Sequence, residues 1–388
     1  MSRRLFVLVA AVILLDTMFY AAITPLLPGY ADDLHLSKAS AGVLSASYAA
    51  GTLLAALPSG WLAARIGFRL AMVVGLSLIG TSSVAFAFAG SVVPLDLARF
   101  AEGVGGACAW TGGLAWLIAA SSDERRGEVI GGALAAAIFG ILLGPVIGGI
   151  ATVVGQEVVF CVVAAIAAGL VVWVSGTPGA PAQPMPSAGD VIRRMVTGPV
   201  MLAFLFVVLP SVLAGTFDVL VPLRLDALGA SGVGVGIAFF VAAAIEAFTA
   251  PAIGRFSDRR GRMTPIRAGL IASPIAAMLL ALPDNAVLLG AALVVVVLAM
   301  SLIWTPAMAL LSDNAEKAGL DLAFATALVS LAWAGGQVLG GSAVAAFAGA
   351  TTDPAAYALV AAAFVITLVG IAGVRGVRRA PVPSRASE

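Results

Sequence analysis

The sequence predicts an all-α polytopic membrane protein: twelve transmembrane helices arranged as two pseudo-symmetric six-helix bundles. Three observations carry that prediction. The composition is far from that of a water-soluble chain, with 61% hydrophobic and 11% charged residues over 388 positions, where soluble domains carry about 25% charge. The apolar residues fall into twelve runs, most of them close to the ~20 residues that a helix needs to cross a bilayer. The two halves also repeat one another in register. A shift of 194 positions lays Pro28 on Pro222, Ser37 on Ser231, Gly42 on Gly236, Gly60 on Gly254, Arg65 on Arg259 and Gly67 on Gly261. A shift of 192 lays Gly144, Gly148 and Gly149 on Gly336, Gly340 and Gly341.

The runs lie at 5–27, 39–63, 70–90, 93–119, 131–154, 158–174, 200–223, 234–253, 266–282, 286–310, 322–348 and 355–374. The first is too long for the core of a signal peptide and reads as a retained span. Between the sixth and seventh runs the chain turns Pro/Gly-rich and then basic at Arg193 and Arg194, a composition that builds no core. The expected division is an N-terminal bundle at 1–175, a linker at 176–198, a C-terminal bundle at 199–375 and a tail at 376–388. Parallel repeats of this kind belong to transporters that open alternately to the two sides of a membrane.

Orientation follows from the basic residues. With the N-terminus in the cytoplasm, 18 of the 21 Lys and Arg fall on cytoplasmic segments, Arg125, Arg379 and Arg385 among them. Lys38 and Arg224 fall outside, and Arg99 lies within a span. The positive-inside rule thus places both termini in the cytoplasm and favours an even number of spans, twelve, or ten if two are miscounted. A multi-pass protein of the cell's inner (plasma) membrane is expected. His35 sits in the first outer loop beside Asp32, Asp33 and Lys38 as a solvated residue, and Cys108 and Cys161 lie in apolar runs, so no disulfide framework is implied. A net charge of +1 gives no reason to expect nucleic acid.

Several spans carry more than packing requires. In the fifth, Gly140, Gly144 and Gly148 recur every four residues and leave one helix face without side chains, Gly149 extends it, and Pro145 removes a backbone donor in their midst. A bent helix with a smooth face is expected, and close packing is its simplest use. In the fourth span Arg99 and Glu102 are three apart and can pair, with Asp96 one turn earlier placed to share Arg99. A charge at the bilayer centre costs about 2.5–3.5 kcal/mol even on the lenient insertion scale, so pairing or a water-filled cavity is expected. Asp16 lies near the middle of the first span with Tyr20 on the same face; Glu246 is equally deep in the eighth, and Asp218 lies nearer the outside in the seventh. Each acid is a candidate to carry a proton or meet a cation, the plainer reading being a hydrogen-bonded structural acid. Trp110, Phe239, Trp304 and Trp333 lie mid-span with Gln337 as a polar neighbour, and as a set could line a cavity for lipophilic or cationic ligands.

The loop Gly60-Trp61-Leu62-Ala63-Ala64-Arg65-Ile66-Gly67-Phe68-Arg69 and its partner Gly254-Arg255-Phe256-Ser257-Asp258-Arg259-Arg260-Gly261-Arg262 resemble the inner-loop signature of the major facilitator superfamily. The glycines permit a tight turn, and the carboxylate and arginines can form a salt-bridged latch. The second copy is complete, while the first has Ala64 where the family usually has Asp. Arg99-Phe100-Ala101-Glu102-Gly103-Val104-Gly105 resembles a second family signature, with Glu102 at a position usually held by Gln. The 140–149 stretch resembles the signature of the drug:proton antiporter branches, which implies export. Gln337 stands where Pro145 falls in the other half, so an asymmetric seal supplied mainly by the N-terminal half is expected. The first span, with Leu14-Leu15-Asp16-Thr17-Met18-Phe19-Tyr20 and then Pro25-Leu26-Leu27-Pro28, looks like that of multidrug and vesicular-amine-type exporters, in which a mid-helix Asp contacts a cationic substrate or a proton.

The resemblance implies a proton-coupled secondary antiporter that exports lipophilic, cationic small molecules by alternating access. Its partners would be protons, a small-molecule substrate and the lipid bilayer; it would act as a monomer, with a proton gradient for energy and no cofactor or metal. Proton coupling would fall to Asp16, Glu102, Asp218, Glu246 and Arg99, and substrate binding to Asp16, Tyr20, Trp110, Phe239, Glu246, Trp304, Trp333 and Gln337. The alternative in the same fold is a proton-coupled exporter of a small polar metabolite such as a sugar or amino acid, which would want a more polar cavity. An enzyme or receptor is not expected, because the spans hold no histidine and no metal-ligand cluster, and there is no sizeable extramembrane domain. Nor does a phosphate-binding Gly-x-x-x-x-Gly-Lys-Ser/Thr pattern occur.

Overall fold

A computed structural model describes residues 3–121, 126–179, 188–320 and 322–378. Arg125, residues 180–187 of the expected linker, and residues 379–388 of the expected tail, with Arg379 and Arg385, lie outside the described residues. The helices are α1 (Arg3–Ala22), α2 (Leu27–Asp33), α3 (Lys38–Ile66), α4 (Phe68–Ala87), α5 (Val92–Ala119), α6 (Arg126–Val154), α7 (Gln156–Ser175), α8 (Ala188–Met195), α9 (Gly198–Ala227), α10 (Gly232–Arg260), α11 (Met263–Leu279), α12 (Ala286–Lys317), α13 (Leu322–Val338), α14 (Ala345–Ala350) and α15 (Asp353–Arg378). A π-helical turn, Leu339–Val344, joins α13 to α14 into one rod.

Among the described residues, ten helical rods are long and apolar enough to cross a membrane. Two further helices are consistent with the twelve that the sequence leads one to expect. α11 is apolar but has only 17 residues, and α5 has 28 residues but carries Asp96, Arg99 and Glu102 among its glycines.

Equivalent sequence positions make equivalent local structures. Ser37 and Ser231 each cap the helix that follows, accepting a hydrogen bond from the backbone N–H three residues on, at 3.1 and 3.2 Å. α3 and α10 each end on a glycine with positive φ, +85° at Gly67 and +83° at Gly261, a conformation that a side chain would strain. The pseudo-twofold extends to packing. α1 lies on α6 as α9 lies on α13; α3 and α4 lie on α5 as α10 and α11 lie on α12; α4 meets α7 as α11 meets α15. Between the halves, α3 crosses α13 and the π turn, and α10 crosses α6.

The glycine face of α6 seats on α1. A Cβ at Gly140 would lie 1.9 Å from Thr17 Oγ1, one at Gly144 2.4 Å from Ala21 Cβ, and one at Gly148 2.1 Å from the Ala22 carbonyl, so each side chain must be absent for the helices to come this close. α6 stays helical through Pro145. The expected asymmetry between the two copies is not what the packing shows. A Cβ at Gly336 would lie 2.4 Å from Ser211 Cβ and one at Gly340 2.0 Å from the Val212 carbonyl, so α13 and the π turn press on α9 as closely as α6 presses on α1. Where the first copy has Pro145, the second has Gln337 and then the π turn.

Glycines also bring the halves together. A Cβ at Gly42 of α3 would lie 2.0 Å from the Gly341 carbonyl, and one at Gly236 of α10 would lie 2.6 Å from the Pro145 carbonyl. At the rim of the same seam, Lys38 Nζ and Asp353 Oδ1 form an ion pair at 2.5 Å between α3 and α15.

Candidate functional site

Three helices converge on Asp16, which is fully buried on α1. Its Oδ2 accepts hydrogen bonds from Tyr48 Oη of α3 at 2.9 Å and from Trp110 Nε1 of α5 at 3.0 Å. Its Oδ1 is also buried and has no partner. α5 can come this near because it offers no side chain at Gly106, where a Cβ would lie 2.6 Å from Asp16 Oδ1 and 2.7 Å from Tyr48 Oη.

Beside the next turn of α1, Arg99 and Glu102 of α5 pair at 2.7 Å, at 1% and 0% exposure. Such a pair survives burial only when its remaining hydrogen-bonding groups find partners. Arg99 meets this in part, donating Nη2 to the Tyr20 carbonyl at 3.0 Å and Nη1 to the Phe19 carbonyl at 3.4 Å, while its Nε and Glu102 Oε1 stay buried without a partner. Its guanidinium carbon lies 6.0, 5.9 and 5.4 Å from the ring centres of Phe19, Tyr20 and Tyr48, within cation–π range. Asp96 does not share Arg99; its Oδ1 is buried without a hydrogen bond, because Arg99 is turned one way, toward Glu102 and α1.

Tyr20 carries the cluster across the seam. Gln337 of α13 donates Nε2 to Tyr20 Oη at 3.0 Å and, at 3.4 Å, to Asp218 Oδ2 of α9. Trp333, one turn before Gln337, sets its ring edge-on to Tyr20 with centres 5.3 Å apart, and Tyr48 stacks beside Tyr20 at 4.8 Å. The structure therefore joins Asp16, Tyr20, Arg99, Glu102, Trp110, Asp218, Trp333 and Gln337 in one continuous constellation. Tyr48, which contacts Asp16, Tyr20, Trp333 and Arg99, was absent from the sequence expectation. Its signal was there, as a tyrosine deep in an apolar run with Thr52 one turn on, but nothing local says that it faces Asp16.

Glu246, Phe239 and Trp304 belong to a second group. Glu246 of α10 is part-buried, and its Oε1 accepts from Ser301 Oγ of α12 at 2.8 Å. Trp304 lies one turn beyond Ser301 and is the repeat counterpart of Trp110, 194 positions away. Phe239, two turns before Glu246, packs on Phe217 with ring centres 6.3 Å apart.

The loop residues divide as their sequences do. Arg262 reaches Asp258 at 3.0 Å and, through Nε, Asp313 of α12 at 3.3 Å, tying the turn at Gly261 to a neighbouring helix; Gly254 and Arg259 lie on the same end of α10. In the first copy, which has Ala64 in place of an acid, Arg69 instead donates to the Thr177 carbonyl at 3.4 Å, Gly60 is buried in α3, and Arg65 is exposed. Among the described residues no group of three His, Cys, Asp or Glu could hold a metal ion.

A family profile described as Major Facilitator Superfamily matches residues 9–341. The chain belongs to the major facilitator superfamily. It is a multi-pass membrane transporter rather than an enzyme. It is 36% identical over 174 residues to the probable vesicular acetylcholine transporter-B of Danio rerio, covering 42% of this chain and 35% of that protein. It is 34% identical over 152 residues to the synaptic vesicular amine transporter of Mus musculus, covering 39% of this chain and 29% of that protein. The chain thus spans about a third of the length of the curated relatives it matches. Among solved structures, a bacterial homolog of the human lysosomal transporter Spinster, in an inward-facing and unoccupied conformation, superposes with a TM-score of 0.74 at 16% identity over 97% of this chain and 96% of that one. A D-xylose–proton symporter superposes with a TM-score of 0.72 at 16% identity over 93% and 96%. At this identity both likenesses speak to fold alone.

Proposed function

We propose that this transporter is a proton-coupled antiporter that exports lipophilic, cationic small molecules by alternating access. The observation that carries the reading is Asp16: a carboxylate deep in a membrane span, with one oxygen held by Tyr48 and Trp110 and the other left bare, is costly to keep unless a proton or a cation uses it. Similarity to vesicular acetylcholine and amine transporters, whose names give a quaternary ammonium ester and amines as cargo, supports the substrate class. The aromatic rings of Tyr20, Tyr48, Trp110 and Trp333 suit such cargo better than a sugar.

The bodies that rock are the bundles at 1–175 and 199–375, joined by the linker at 176–198. Both termini lie in the cytoplasm, the membrane is the plasma membrane, and the unit is a monomer. On this orientation the Lys38–Asp353 pair and the Gly42–Gly341 and Gly236–Pro145 crossings close the outer side. The Arg262 latch lies at the inner side. Energy comes from the proton gradient: one charge moving through 100 mV is worth about 2.3 kcal/mol, roughly a fiftyfold gradient. When a monovalent cation leaves for one entering proton the voltage contribution cancels, and the pH difference drives export.

The test is transport by the purified protein in proteoliposomes. An imposed pH gradient should drive counter-movement of a lipophilic amine, and Asp16→Asn should abolish it. Transport undiminished in that variant at all pH values would sink the assignment of Asp16. Proton-driven movement of a sugar or amino acid, with none of the amine, would replace the substrate class.

A further inference from the structure

Four acids within the spans, Asp16, Glu102, Asp218 and Glu246, fall into two kinds, and the division follows the two halves. In the N-terminal half, Asp16 and Glu102 are both wholly buried, and each keeps one bare oxygen in a space closed by protein: Asp16 Oδ1 against Gly106, and Glu102 Oε1 behind the pair with Arg99. In this conformation both oxygens are shut off from the surface. In the C-terminal half, Asp218 and Glu246 are only part-buried. Each has one oxygen held by a neutral donor, Gln337 or Ser301, and neither leaves a buried oxygen without a partner. The second oxygen of each is therefore open to whatever fills the space beside it. Phe217, which precedes Asp218 in α9, packs on Phe239 of α10 with ring centres 6.3 Å apart, and Trp304 follows Ser301 by one turn of α12.

We infer that the two tasks of an exchanger are assigned to different halves: the C-terminal wall, with Asp218 and Glu246, receives the organic cation, and Asp16 of the N-terminal half carries the proton. This rests on the proposed proton–cation exchange. Each cycle takes one cation from the C-terminal wall outward and returns one proton on Asp16, so charge balances for a monovalent substrate. The charged and titratable groups around Asp16 are Tyr48 of α3, Arg99 and Glu102 of α5, and Tyr20 of its own helix; α6 meets this stretch of α1 with its glycine face.

Equilibrium binding of tetraphenylphosphonium to the purified full chain in detergent tests the division, together with proton release on its addition in weak buffer. Glu246→Gln and Asp218→Asn should each weaken binding at least tenfold. Asp16→Asn should bind within about threefold of wild type and release no proton. Loss of binding in Asp16→Asn with retention in both C-terminal variants would overturn the inference, as would proton release that persists without Asp16. A measurement on the unaltered protein guards against variants that misfold: the cation should slow labelling of Glu246 by a lipophilic carbodiimide, read by peptide mass spectrometry, and unchanged labelling would count against the inference. A wild-type protein that neither binds the cation nor releases protons would overturn the exchange reading itself and this division with it.

Discussion

Gln337 Nε2 stands 3.0 Å from Tyr20 Oη, on opposite sides of the seam between the two bundles. The same amide nitrogen lies 3.4 Å from Asp218 Oδ2, and the backbone carbonyl of Tyr20 accepts from Arg99. One tyrosine thus connects the buried ion pair of the first half with the open carboxylate of the second, and any motion that parts the halves there must break its hydrogen bond. Tyr20→Phe should lower transport about three- to tenfold while leaving the fold intact, since a neutral hydrogen bond contributes about 0.5–1.5 kcal/mol. Spin-label distances across the Lys38–Asp353 rim should shift toward the open form in this variant; an unchanged distribution would show that the bond does not hold the seam.

Tyr48 should matter nearly as much as Asp16. Tyr48→Phe removes one of the two donors on a buried carboxylate, an interaction worth about 1.5–3 kcal/mol, so transport should fall roughly ten- to a hundredfold. The readout is initial rate in proteoliposomes, and a rate within twofold of wild type would remove Tyr48 from the site.

For the Arg99–Glu102 pair the two single variants should differ from the double. Removing Arg99 alone strands Glu102 at 0% exposure and should cost about 3–5 kcal/mol of stability. Replacing both by apolar residues of similar size should restore much of it without restoring transport. Thermal unfolding of the three variants decides; equal loss in single and double variants would mean that the pair is not the source of the cost.

Gly144→Leu and Gly340→Leu should be damaging to similar degrees, because both glycines face backbone on a partner helix at less than van der Waals distance. Overpacking costs about 1–3 kcal/mol even where neighbours can shift, and here the neighbours are α1 and α9. Comparing yield and transport of the two variants tests whether the halves contribute equally. A harmless Gly340→Leu would reinstate the one-sided seal that the sequence suggests.

The fold was legible because its signals are periodic and redundant: apolar runs of membrane length, basic residues on alternate loops, and one offset shared by caps, turns and glycines. Individual partnerships were less so. Arg99 and Glu102 are three apart on one helix, so their pairing could be read directly. The Tyr48–Asp16 and Gln337–Tyr20 contacts join residues 32 and 317 positions apart, and only the packing of α1, α3 and α13 brings them together. The sharing of Arg99 by Asp96 failed for a related reason. Sequence spacing gave both acids reach, but α1 supplies two carbonyls on only one side of the arginine.

The π turn at Leu339–Val344 gives the second bundle a property that the first lacks. A π turn is one residue wound into a helix beyond its normal count, frequently at functional sites. Restoring regular α-helix there would rotate everything past Leu339 by about 100°, the twist of one residue, while Trp333 and Gln337 before it stayed in place. Gly341 and Ala345 would turn away from Gly42, and α3 would lose its closest neighbour across the seam. In the proposed alternating cycle, such a rotation would part Gly341 from Gly42 while leaving Trp333 and Gln337 against Tyr20.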